Sequence, residues 1–97
     1  MKQLWKGLCD VRVPQGFLDT GRTLAFVWIV TWANDEASYL DNARKLLAAY
    51  DSELLEYDEL EVIDPDSDHG KLNEIVDQSR DNPNAILFGG FHSYPSQ

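Results

Sequence analysis

Thr23-Leu24-Ala25-Phe26-Val27-Trp28-Ile29-Val30-Thr31-Trp32-Ala33 is the stretch on which the fold turns. Its residues are β-branched or aromatic almost throughout, and none is charged. Such a run suits a central strand buried on both faces, since these side chains pack well on a pleated surface and none needs water. Alternation sends Leu24, Phe26, Trp28, Val30 and Trp32 one way, and Ala25, Val27, Ile29 and Thr31 the other. The smaller side is expected beneath helices. The aromatic side is then expected on the open face of the sheet, and large apolar side chains left in water would each forgo roughly 1.5–3 kcal/mol. Residues 1–20, a second copy of the chain or a small molecule are the expected covers.

Upstream, Cys9, Val11 and Val13 alternate with Asp10 and Arg12, which predicts a short half-exposed strand over residues 8–13. Pro14, Gly16, Asp19 and Gly21 make the next segment a loop, with Phe17 and Leu18 available to pin it down. Downstream, Asn34 is placed to cap a helix that carries Asp35 and Glu36 in its first turn. Ala37, Leu40, Ala43, Leu47 and Tyr50 recur at helical spacing, so this helix is predicted over about Asp35 to Tyr50.

Residues 53–63 form a second strand candidate in which Leu54, Leu60 and Val62 share one parity and Leu55, Tyr57 and Ile63 the other, a change of apolar parity partway that signals a bulge or an edge position. A second helix is predicted to start at Asp66, Ser67 or Asp68 and to bury Leu72, Ile75, Val76 and Ser79. Ala85 to Phe91 is a last strand, loosened by Gly89-Gly90. The order ββαβαβ predicts one domain over residues 1–97, of α+β class: a two-layer α/β sandwich, ferredoxin-like in the broad sense, with a four-stranded sheet and two helices on one face.

The 97-residue chain has 8 basic and 17 acidic side chains, a net charge of −9. The distribution is uneven: residues 1–34 hold four basic and two acidic groups, a balance of +2, and residues 35–97 hold four and fifteen, a balance of −11. So acidic a surface repels phosphate backbones and anionic lipid, which disfavours nucleic acid and membrane as partners and favours a basic protein. Between Lys45 and Lys71 no residue is basic. Glu56, Asp58, Glu59 and Glu61 fall in that stretch, either as a docking surface or as charges that guard a strand edge. Cys9 is the lone cysteine, so no intrachain disulfide forms, and residues 1–10 lack the apolar run of a secretion signal. A cytoplasmic location is expected.

Motifs that would carry chemistry are thin. Asp64-Pro65-Asp66-Ser67-Asp68 has the Asp-x-Asp-x-Asp spacing of a calcium loop, yet His69 and Ile75 stand where an EF-hand needs glycine and a bidentate glutamate. The aspartates are read as helix caps. Phe17-Leu18-Asp19-Thr20-Gly21 resembles the signature of the retroviral-type aspartic proteases, and Ile86-Leu87-Phe88-Gly89 their apolar-Gly element. The resemblance implies a homodimer in which each copy lends one aspartate. It covers about five residues; Arg22 follows where that family has a small side chain, and the helices do not suit a nearly all-β subunit, so Asp19 is read as a turn residue. Cys9 reads as core, and His92-Ser93-Tyr94 has no third partner that would complete a nucleophile–base set. No glycine-rich phosphate loop precedes a helix.

The sequence therefore leads to a small acidic, non-enzymatic binding protein without cofactor. It is expected to act through the aromatic face, Phe26, Trp28 and Trp32, or through the acidic edge, Glu56, Asp58, Glu59 and Glu61. Its partner is expected to be a second copy or a basic protein, as for an immunity- or inhibitor-type protein. The alternative is a small-molecule binder or modest enzyme with an aromatic pocket around Trp28 and Trp32.

Overall fold

The fold is described from a computed structural model, residues 1–95. Its strands are β1 (Gln3–Arg12), β2 (Leu24–Ala33), β3 (Glu53–Ile63), β4 (Ile86–Phe88) and β5 (His92–Tyr94), and its helices α1 (Glu36–Ala48) and α2 (Asn73–Asp81). A single 3₁₀ turn, Gly70–Leu72, leads into α2. The sheet is antiparallel throughout, in the order β3-β1-β2-β4, and β5 pairs with β2 beyond β4. The expected last strand is thus two short ones, broken at Gly89–Phe91, and the sheet has five strands instead of four.

β2 is central, as its composition requires, and β1 runs its full length beside it from Gln3↔Ala33 to Arg12↔Leu24. The first strand therefore begins well before residue 8. Residues 3–12 lie in the sheet, and the loop after them folds away, where Phe17 meets Tyr50 and Phe91 edge-on with centroids 6.1 and 5.2 Å apart. The expectation that residues 1–20 cover the aromatic face is corrected by this placement.

The helices lie on opposite faces, where one face was expected. Tyr39, Ala43 and Leu47 of α1 pack on Cys9, Val11, Ala25, Val27 and Ile29. Leu72 and Val76 pack with Leu4, Val30 and Ile63, flanked by Trp28, Trp32 and Ile75. The reason lies in β2: both of its faces are apolar, so each needs a cover. The crossover from β2 through α1 to β3 joins strands of the same direction and is bound by the handedness of such units. α2 joins antiparallel strands at opposite edges of the sheet, and that rule leaves its face free.

Three further boundaries differ from the sequence reading. Asp35, not Asn34, caps α1, its carboxylate accepting from the Ser38 N–H at 2.8 Å. That bond holds the Asp35 carboxyl below its ordinary range. α1 stops at Ala48, short of Tyr50. α2 begins at Asn73 because the aspartates before it are spent on turns: Asp64 accepts from the Asp66 N–H at 2.9 Å, and Asp68 from Gly70 N–H at 2.9 Å and Asn73 Nδ2 at 2.8 Å. Gly70, at φ 61°, sets the turn that follows.

Gly7 decides how closely α1 approaches. It faces α1 from β1, and the Tyr39 hydroxyl drops into the gap it leaves, donating to Ile29 O at 2.8 Å. A Cβ at Gly7 would meet that oxygen at 2.7 Å and Leu60 Cδ1 at 3.1 Å. Gly7→Ala is expected to cost about 1–3 kcal/mol by overpacking, read as a lowered denaturation midpoint at unchanged m-value. Tyr39→Phe removes the clashing oxygen, so the double variant is expected to lose less than the two single losses combined.

Candidate functional site

The face of the sheet that carries α2 is composed of Leu4, Lys6, Leu8, Asp10 and Arg12 of β1 and the even-numbered residues of β2. β3 completes it through two irregularities. Lys6 pairs with Glu61 but Leu8 with Asp58, so the strand gains a residue between them, where Glu59 adopts φ 50°. A second shift separates Asp10↔Glu56 from Val11↔Leu54. Because one extra residue flips the facing of every side chain beyond it, Glu56, Asp58 and Glu61 reach the same face despite their mixed parity. The parity change in residues 53–63 was the mark of this bulge.

α2 covers only one end of that face. At that end Trp32 is held under the helix, its indole Nε1 donating to Ser79 O at 2.9 Å. Trp28 follows, half-buried, with the Lys6 ammonium 5.2 Å from its ring centroid and 3.4 Å from Glu61 Oε1. Beyond Trp28 the face is open. Phe26 is 39% exposed there, stacked on Tyr94 at 4.8 Å with the rings 27° apart. The Tyr94 hydroxyl donates to the Asp10 carboxylate, which pushes its pKa up to about 12. Leu8, Asp10, Phe26, Glu56, Tyr57 and Asp58 line a shallow concavity of about 370 Å³. Arg12 is the nearby cation, and it pairs with Glu53 at 3.0 Å.

The two regions read separately in the sequence are thus one surface. Phe26, Glu56 and Asp58 come together in the concavity, and Trp28 stands at its border, opposite Leu8. Trp32 does not join them, Glu61 is paired with Lys6, and Glu59 sits in the bulge opposite no residue of β1. A cavity does form against Trp28, but Trp32 is not in its wall. Leu8, Asp10 and Tyr94 were missed as site residues. The alternation that put Asp10 opposite Cys9 held the signal for the first two; Tyr94 had none, because its stacking depends on β5 closing against β2.

The remaining candidates have structural roles. Cys9 is buried in the core, and burial pushes its thiol up to about 11, against a weaker opposing effect of the Tyr39 hydroxyl. Asp19 lies exposed in the loop between β1 and β2. Ser93 accepts from Thr20 Oγ1 at 3.3 Å, and alternation in β5 turns it away from His92. Among the described residues no three histidine, cysteine or carboxylate groups cluster so as to hold a metal ion, and no helix is long and apolar enough to cross a membrane.

The geometry of the open end has a spectroscopic consequence. A phenol whose proton is held by a carboxylate ionises late, so the Tyr94 ring carbon signal is expected to stay unchanged until the pH nears about 12. In Asp10→Asn it is expected to move at least about one pH unit earlier, towards the ordinary tyrosine value of about 10. A Tyr94 titration that Asp10→Asn leaves unmoved would mean that the ring does not reach across β2 to β1.

No protein-family model, no curated protein and no solved structure matches the chain, so the surface itself carries the functional reading.

Proposed function

We propose that the protein is a non-enzymatic binding protein that receives a basic segment of a partner protein on the open end of the α2 face. The observation that supports this reading is the merging of the exposed aromatic side chain of Phe26 with the carboxylates of Asp10, Glu56 and Asp58 in one concavity. Aromatic and aliphatic ground gives contact area, and the carboxylates around it select and steer a cation. Leu8 and the Phe26–Tyr94 stack would lie under the apolar stems of lysine or arginine side chains, with the charged heads at the carboxylates. An immunity- or inhibitor-type protein that neutralises a basic partner is one form this could take.

A second copy of the chain fits this patch less well. A two-fold axis through it would set Asp10, Glu56 and Asp58 against themselves, and like charges facing each other across an interface oppose association. A basic partner meets no such cost.

The experiment is a nuclear magnetic resonance titration with a synthetic peptide of alternating lysine and leucine. The expected shifts concentrate on Leu8, Asp10, Phe26, Glu56 and Asp58. Glu56→Lys/Asp58→Lys is expected to weaken binding by at least about tenfold. Glu74→Lys/Asp81→Lys, which changes net charge equally on α2, is expected to stay within about twofold. No saturable binding, shifts confined to other surfaces, or equal losses in both double variants would each overturn the reading.

A further inference from the structure

We propose that the cavity between Trp28 and the 3₁₀ turn is a second binding site, one for a small anionic ligand with a flat apolar body. It measures about 430 Å³, within the roughly 300–1,000 Å³ typical of small-molecule sites and near the lower end. Its wall inverts the charge of the chain. In a protein with 17 carboxylates, no aspartate or glutamate lines it, while Lys6, Lys71 and both histidines of the sequence, His69 and His92, do. The apolar floor is the half-buried Trp28 with Leu72 and Ile75.

The basic groups differ in what they are free to do. Lys6 is engaged, by Glu61 at 3.4 Å and by the Trp28 ring, so its ammonium already has partners. His69 is anchored by the 2.6 Å contact of its Nε2 with Asp64 O. Lys71, like Lys2, Arg22 and Lys45, has no carboxylate within ion-pair distance among the described residues, and of these four it is the one that lines the cavity. His92 is exposed on β5. An anion placed between Lys71 and His92 would therefore meet an ammonium without an ion-pair partner in a wall that, among the described residues, no aspartate or glutamate lines, and its apolar body would lie against Trp28.

Gly90 lies on the rim of the same cavity. Its backbone is not in the left-handed region, and a Cβ built on it would meet nothing within 4 Å. A side chain at this place on the rim would therefore extend into open space at the cavity mouth and not against the protein. Gly89 is different, since a Cβ there would touch Ile75 Cδ1 at 3.4 Å. The residues that carry this inference are not those of the acidic concavity, so either site can fail without the other.

The test uses naphthalene-2-sulfonate as the probe and the uncharged naphthalene-2-sulfonamide as its isostere, titrated into the isotopically labelled full chain at neutral pH. The sulfonate is expected to shift the Trp28 indole and the His69 and His92 ring signals saturably, and the sulfonamide to bind at least about tenfold more weakly. Lys71→Glu, a change at an exposed position, is expected to cost the sulfonate at least about tenfold, and Gly90→Leu to cost both probes similarly. Lys2→Glu, an equal charge change outside the cavity, is expected to alter affinity by less than about twofold. Equal affinity for the two probes, a Lys71→Glu variant that binds as the parent does, equal losses in Lys71→Glu and Lys2→Glu, shifts mapping elsewhere, or no saturation would each overturn the proposal.

Discussion

A strand without charge on either face has to be covered on both sides, and the rest of this structure follows from how that requirement is met at Leu24–Ala33. The odd-numbered face is closed by α1, a thirteen-residue helix that docks through Tyr39 over Gly7 and is extended by the Phe17, Tyr50, Phe88 and Phe91 cluster. The even-numbered face has only α2, nine residues long. At about 1.5 Å per residue that helix spans about 13 Å, whereas the ten residues of β2 run to about 33 Å. α2 cannot cover the face it serves. It shields Val30 and Trp32, borders Trp28, and leaves Phe26 in solvent beside Tyr94.

Charge is then sorted across what remains open. The irregularities in β3 bring Glu56 and Asp58 beside Asp10 at the far end, and Glu61 onto Lys6 at the middle. On the other side of Trp28 the lining changes to Lys71, His69 and His92. β3 is also an edge strand of the sheet, and exposed carboxylates such as its Glu56, Asp58 and Glu61 disfavour strand addition along such an edge. Edge protection would be compatible with the proposed partner binding by the same groups, because the backbone edge of β3 and the side chains on its face point in perpendicular directions.

Much of the fold was legible where one interaction dominates. The composition of residues 23–33 marked the central strand, helical spacing marked α1, and the stripe Leu72, Ile75, Val76 and Ser79 is the buried side of the second helical segment. The parity change in residues 53–63 gave away the bulge. What escaped depends on contacts distant in sequence. Lys6-Gly7 interrupts any apolar alternation in β1, because one packs on Trp28 and the other makes room for Tyr39. The start of α2 was misplaced because caps and turns use the same aspartates, and only Gly70 at positive φ separates them. The side taken by α2 has no local signature. It was this side that converted an expected aromatic face into one buried end and one open end, and so decided which aromatic residues are available.

The placement of α2 is therefore the point to test, and nuclear Overhauser contacts from the Trp32 indole N–H test it most directly. With the helices on opposite faces, that proton is expected to show contacts to Ser79 and Val76, and the Tyr39 ring to show contacts to Gly7 and Ile29 on the other face. Contacts from Val76 to Val27, Ile29 or Ala43, with the Trp32 indole free of α2, would put both helices on one face and contradict it.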